Sequence, residues 1–314
     1  MLVAKNREHL ILFYSIILIL SFETLLFRLA PNLFPILCSI PLFFSGQIVS
    51  KKNFFFSIFI TNVGFFFLYL NNIYFFDLKF TLRFFLNYLT TSTLIFVLFR
   101  LLNSYKKNLI SSEKVIIFFN LFVLSLLLIF NFFYYYQVDH QELKDFIFKF
   151  FSSVVKDSNI QENIISEEGV DFLIKIIPSL NAFVLMTFLI INFFFTNFIL
   201  KKINFPRNYF IEFSKFFLPT KIFLIFNILI IFTILLTGDL KFYSLSIIIV
   251  LSFLIFYQGL VYSSQYLNSL DIYFFLKIII IFLLFIFLGY VLFLLIFLNG
   301  YYISLKRIIK KVSK

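Results

Sequence analysis

The run YSLSIIIVLSFLIFYQGLVY, residues 243–262, decides the fold class. It carries no charged side chain over its whole length. About 20 mostly apolar residues wound as a helix cross the roughly 30 Å hydrocarbon core of a bilayer. The same pattern recurs along the chain at 10–29, 54–70, 80–101, 115–135, 177–200 and 222–236. Residues 30–50 form a further apolar stretch broken by Pro31, Pro35 and Pro41, which suits either a kinked crossing or a partial re-entry. The last apolar run, 272–302, would measure roughly 46 Å as one helix, longer than one comfortable crossing.

Composition leaves little room for another class. Of the 314 residues, 62% are hydrophobic and only 13% charged, with a mean hydropathy of +1.02. Soluble domains carry about 25% charged residues, so this chain cannot cover itself with polar surface and its solvent is lipid. The reading is all-α: a polytopic transmembrane helical bundle of about 9–10 spans, range 8–10, with one external amphipathic segment. No Gly/Ser or Pro linker divides it, so residues 1–314 are expected to form a single integral membrane domain. One Cys and two His cannot build a zinc centre, a haem ligand pair or a disulfide framework. Neither a metal site nor a cofactor is assigned. The 55 Phe, beside seven Gly and no Trp, read as AT-rich coding, which empties any single Phe of meaning.

Charge orients the spans. Basic residues gather as Lys5/Arg7, Lys51/Lys52, Arg100/Lys106/Lys107/Lys114, Lys201/Lys202/Arg207/Lys215/Lys221 and a terminal group from Lys306 to Lys314. Cytoplasmic loops collect Lys and Arg, so these clusters are read as cytoplasmic, together with the amino terminus and a basic tail over 303–314. Span 10–29 has no small-residue cleavage site after it and is read as retained rather than as a signal peptide. Spans then leave and return in pairs until the end. One further crossing would put the tail outside, which favours a hairpin near Gly289 over a single long helix. Residues 137–175 hold eight of the fifteen acidic residues and are read as an external loop. Within it Phe146, Ile147, Phe150, Phe151, Val154 and Val155 recur at helical spacing, as in a helix lying in the interface plane. The net charge of +12 follows from this topology and from anionic headgroups, without a nucleic-acid partner. The partner it does imply is the lipid bilayer.

Ionisable groups inside spans carry the site hypothesis, because a charge at a helix centre costs about 2.5–3.5 kcal/mol on insertion scales. Glu23 lies roughly 20 Å from the cytoplasmic end of span 10–29, in the outer leaflet. Arg28 is near the outer end of the same span, and Arg83 is at comparable depth in span 80–101. Glu23 and Arg83 are expected to pair if those spans touch, as a structural ion pair or as part of a ligand site. Asn62, Asn87, Asn120, Asn192, Asn227 and Gln258, with Thr90, Thr91 and Thr93, are also at membrane depth and suit interhelical hydrogen bonds. The ligand-binding candidates are Glu23, Arg83, Arg28, Asn87 and Gln258.

No catalytic residue is assigned, and the chain is read as a non-enzyme. His140 and Asp145 satisfy an H-x₄-D spacing but lack supporting residues. No G-x-x-x-x-G-K-[ST], H-E-x-x-H or G-x-S-x-G occurs, so the chain carries no P-loop, zincin or serine-hydrolase signature.

Three stretches carry a resemblance. They are Ile40-Pro41-Leu42-Phe43-Phe44-Ser45-Gly46; Ile177-Pro178 with Asn192, Lys201-Lys202, Phe205-Pro206-Arg207, Phe213 and Leu218-Pro219; and Phe256-Tyr257-Gln258-Gly259-Leu260. In order and spacing they resemble the YybS-like family of bacterial membrane proteins (domain of unknown function 2232). That family is distantly similar to the substrate-binding components of energy-coupling-factor transporters. The resemblance implies a bacterial inner membrane, a solute held among the outer halves of the helices, and an ATPase and a membrane scaffold as partners. Two features depart from it: span 10–29 lacks alanines four apart, and the closing turn reads Leu298-Asn299-Gly300-Tyr301-Tyr302, without an acid. Two functions stay open, a transport-related solute-binding component and a non-enzymatic membrane assembly or interaction protein. A lipid-modifying membrane enzyme ranks third.

Overall fold

The computed structural model describes residues 2–29, 37–72, 78–137, 144–145, 167–203, 216–269, 276 and 290–312. Among them there are nine α-helices and no β-strand. They are α1 (Leu2–Leu29), α2 (Ser39–Ile48), α3 (Lys51–Asn72), α4 (Leu78–Lys106), α5 (Ser112–Gln137), α6 (Glu167–Lys202), α7 (Thr220–Leu235), α8 (Gly238–Ser269) and α9 (Tyr290–Val312). Five of these, α1, α5, α6, α8 and α9, contain apolar stretches long enough to cross a membrane, and α3 and α7 contain shorter ones. The chain is a multi-pass helical membrane protein.

The packing divides it into two compact units, one of residues Met1–Val115 and Leu185–Glu212, the other of Ile116–Val184 and Phe213–Lys314. No linker marks the division, because α5 and α6 each run from one unit into the other.

In the first unit α1 shows the inverted pattern of a membrane helix. Leu12, Ile19, Glu23 and Leu26 are buried on one stripe, while Phe13, Tyr14, Leu18, Phe22 and Leu25 face outward. Lipid solvates the apolar face, so the stripe turned inward is free to carry a polar residue. Helices α3 and α4 pack antiparallel through Phe54–Phe99, Phe55–Phe96 and Phe65–Tyr88. The second half of α6 runs beside α2, with Asn192 donating to Ser39 Oγ (2.6 Å) and Gln47 donating to Asn197 Oδ1 (2.7 Å). These pairings bring Lys52, Arg100, Lys201 and Lys202 to one end of the unit.

The second unit is built around α8, whose Val250–Tyr257 turns are almost wholly buried. Helix α7 runs antiparallel to α9 through Phe223–Tyr301 and Phe226–Phe297, and antiparallel to α8 through the Thr233–Ser244 hydroxyl pair. Helices α8 and α9 therefore run the same way. They cross at Gly259 and Gly300, where backbones meet so closely that a Cβ on Gly259 would lie 1.9 Å from the Ile296 carbonyl oxygen. Lys221, Lys306 and Arg307 share one end of this unit, with the Arg307 guanidinium 5.0 Å from the centre of the Phe217 ring. At the other end Lys175 pairs with Asp239 (3.3 Å) and Lys144 with Asp171 (2.6 Å).

Several boundaries differ from the sequence reading. Helix α6 begins at Glu167, so the last nine residues of the stretch read as the external loop 137–175 are helical. Its acids at 167, 168 and 171 are tolerated because they sit in the first turns, where the helix dipole favours negative charge. Helix α9 continues through residues 303–312, so the basic tail is helical there. Leu298–Tyr302, read as a closing turn, lies inside that helix, because Gly300 serves a helix crossing rather than a bend. In 30–50 the described helix is the 10-residue α2, about 15 Å long, half a crossing. The amphipathic pattern at 146–155 and the hairpin near Gly289 lie outside the described residues.

Candidate functional site

Helix α2 sets the site. Its carboxyl end meets the amino end of α3 at Lys51, on the basic end of the first unit. Its amino end, capped at Cys38, therefore stops about 15 Å into the unit. Pro41, in the first turn, is tolerated because the amide it lacks would have had no intrahelical partner. The helix is buried along most of its length, including Ser39, Ser45, Gly46 and Gln47.

The Glu23 carboxyl lies beside that amino end. It adjoins the Tyr88 phenol of α4 and the Cys38 thiol, with Thr91 next to Cys38 and Thr61 next to Tyr88. Glu23, Thr61, Tyr88 and Cys38 are all at most 1% exposed. The Tyr88 hydroxyl is the hydrogen-bonding neighbour of the Glu23 carboxyl, at a geometry short of a standard bond. Tyr88 stands twelve residues before Arg100 on α4, which puts the cluster about 18 Å from the basic end.

The surrounding polar groups, in contrast, bond to one another. Ser45 and Ser57 share a hydrogen bond (3.3 Å), and Asn62 donates to Ser92 Oγ (3.2 Å) and to the Ile58 carbonyl of its own helix (2.8 Å). Thr61 bonds back to the Ser57 and Ile58 carbonyls. The site therefore holds one acid, several hydroxyls, a thiol and a helix amino terminus. Among the described residues there is no group of three or more His, Cys, Asp or Glu that could hold a metal ion. A single carboxylate suits a partner with one positive charge.

The sequence candidates fall in different places. Glu23 is central. Arg28, Arg83 and Asn87 lie on α1 and α4, but their side chains, and with them the expected Glu23–Arg83 pair, are outside the described residues. Gln258 is in the second unit, where its Oε1 accepts from the Leu218 amide (2.7 Å) and its Nε2 donates to the Gly300 carbonyl (3.1 Å) and Ser304 Oγ (3.0 Å). Leu218 is buried in the non-helical stretch before α7. Its amide has no helical carbonyl to bond and would be orphaned in lipid without Gln258. Asn120 donates to the Val250 carbonyl (2.8 Å), and Asn227 accepts from the Tyr301 hydroxyl (2.6 Å). Thr90 and Thr93 bond back to their own helix. Sequence reasoning missed Tyr88, Cys38 and Thr61. Their only signal was helical register, since Thr61, Phe65 and Tyr88, Thr91 fall three or four residues apart on facing helices.

Compared with known proteins, the chain matches no family model, no curated sequence and no solved structure.

Proposed function

We propose that this chain is a transport-related membrane protein, a non-enzymatic component that binds a small, singly positive solute at Glu23. The observation that carries the reading is a fully buried carboxyl in the interior of the first unit, beside the Tyr88 phenol and the Cys38 thiol and with no cationic side chain in contact with it among the described residues. Intramembrane acids that face a bundle interior mark ion and solute pathways. The likeness to the YybS-like family supports the same direction. In this reading the clusters of Lys and Arg and the amino terminus face the cytoplasm of a bacterial inner membrane. Energy for uptake comes from partners, an ATPase and a membrane scaffold.

The test is thermal unfolding of the purified chain in detergent with sodium, potassium, ammonium or choline chloride at matched ionic strength. Ligand at 100 Kd stabilises by about 2.7 kcal/mol, a shift of several degrees. At least one cation is expected to raise the midpoint saturably in wild type and not in Glu23→Gln. Identical midpoints for both proteins in all four salts would overturn the reading.

A second reading has its own observation. The hydrogen bonds of Ser39, Gln47, Asn192 and Asn197 fasten α2 to α6, as in a protein whose polar residues serve assembly alone. There Glu23→Gln lowers abundance and leaves solute uptake per molecule unchanged.

A further inference from the structure

A second feature of the first unit lies away from Glu23, at the basic end. A cavity of about 400 Å³ opens between the start of α3, the end of α4 and Gly46 of α2. Lys52, Arg100 and Asn103 supply its polar lining, and Phe rings from α3 and α4 supply the rest. We infer that this cavity binds the phosphodiester headgroup of an anionic phospholipid, with an acyl chain lying along Phe55 and Phe96.

Charge comes first. Lys52 and Arg100 are both exposed, and neither has an acidic partner among the described residues. Among the described residues no acid lines the cavity. An ammonium and a guanidinium on adjacent helices, with the Asn103 amide beside them, form a donor set matched to phosphate oxygens. Basic pockets between membrane helices at the interface bind lipid headgroups in this way.

The walls then choose between a lipid and a free anion. Phe55 and Phe96 pack at 5.5 Å between ring centres, and Phe55 is 56% exposed on the lipid-facing side of α3. A free phosphate gains nothing from that surface, whereas an acyl chain continues along it. The floor is fixed by glycine. A Cβ on Gly46 would fall 2.3 Å from the Phe99 ring, so the ring lies directly on the α2 backbone. The volume falls within the roughly 300–1,000 Å³ of ordinary ligand pockets.

Native mass spectrometry of the full-length protein tests the inference by titration with dioleoyl phosphatidylglycerol, dioleoyl phosphatidylcholine or inorganic phosphate. Wild type is expected to retain phosphatidylglycerol about tenfold or more over phosphatidylcholine, the order set by two basic groups acting together. Lys52→Gln/Arg100→Gln is expected to lose that preference, and Arg100→Gln to lose part of it. Lys221→Gln/Lys306→Gln, which removes the same charge from the second unit, is expected to keep it. Undiminished phosphatidylglycerol retention by Lys52→Gln/Arg100→Gln would overturn the site. Inorganic phosphate binding as tightly as phosphatidylglycerol in wild type would overturn the lipid assignment.

Discussion

Replacing Gly259 with alanine puts a methyl carbon 1.9 Å from the carbonyl oxygen of Ile296 on the neighbouring helix. Carbon and carbonyl oxygen meet comfortably at about 3.4 Å, so α9 must retreat by about 1.5 Å. The obstacle is backbone, and no rotamer change relieves it. The retreat stretches both bonds that Gln258 donates, 3.1 Å to the Gly300 carbonyl and 3.0 Å to Ser304 Oγ, past hydrogen-bonding distance. It also parts the stacked Phe256 and Phe293 rings, now 5.6 Å between centres. Overpacking costs about 1–3 kcal/mol, and two intramembrane hydrogen bonds add about 0.6 kcal/mol each. The expected loss is therefore about 2–4 kcal/mol, read as a fall of about 3–6 °C in the melting midpoint. The assay is thermal unfolding in detergent, followed by size-exclusion chromatography of a fluorescent fusion. Gly64→Ala is the control, because its methyl meets only the mobile end of Leu20 at 3.3 Å and its midpoint should move by about 1 °C. Gly300→Ala pushes the same crossing apart from the other side, 2.0 Å from the Ile255 oxygen, so the double variant should lose less than the sum. A Gly259→Ala protein that melts with the Gly64→Ala control would refute a backbone contact between α8 and α9.

Gln258→Leu should destabilise by about 1–3 kcal/mol, because it leaves the buried Leu218 amide without an acceptor; an unchanged melting midpoint would show that another group takes its place. Single cysteines at positions 153 and 313, in a Cys38→Ser background, should react with an impermeant maleimide from opposite sides of the membrane. The reason is that Lys306 and Arg307 lie at the end of the second unit opposite Lys175 and Asp239. Labelling of both from one side would contradict that arrangement.

Much of this was legible in the sequence because lipid imposes one strong rule. A charge in a long apolar run must face inward, and Glu23 does, on the stripe it shares with Ile19 and Leu26. Length and apolarity likewise located the helices. The partners of Glu23 were not legible. Tyr88 and Cys38 are ordinary residues in so aromatic and apolar a chain, and only the packing of α2 and α4 against α1 brings them to the carboxyl. The three prolines of 30–50 announced an interrupted helix but not where it resumes, since Pro41 fits a first turn as well as a break. Gly300 was misread for a related reason. Glycine before a basic segment is an ordinary helix stop, and nothing local distinguishes that use from a crossing with Gly259. Gln258 was recognised as a polar residue at membrane depth, yet its bond to Leu218 joins positions 40 residues apart in sequence.

The most direct measurement is the reaction of Glu23 with dicyclohexylcarbodiimide, a lipid-soluble reagent for membrane carboxyls, quantified by mass spectrometry of the intact protein and its peptides. Labelling at Glu23 that falls saturably in the presence of the cation that stabilises the protein is the expected result. A Glu23 that stays unlabelled, or that labels equally whatever cation is present, would contradict a solute site at this carboxyl and leave it as a structural residue of the first unit.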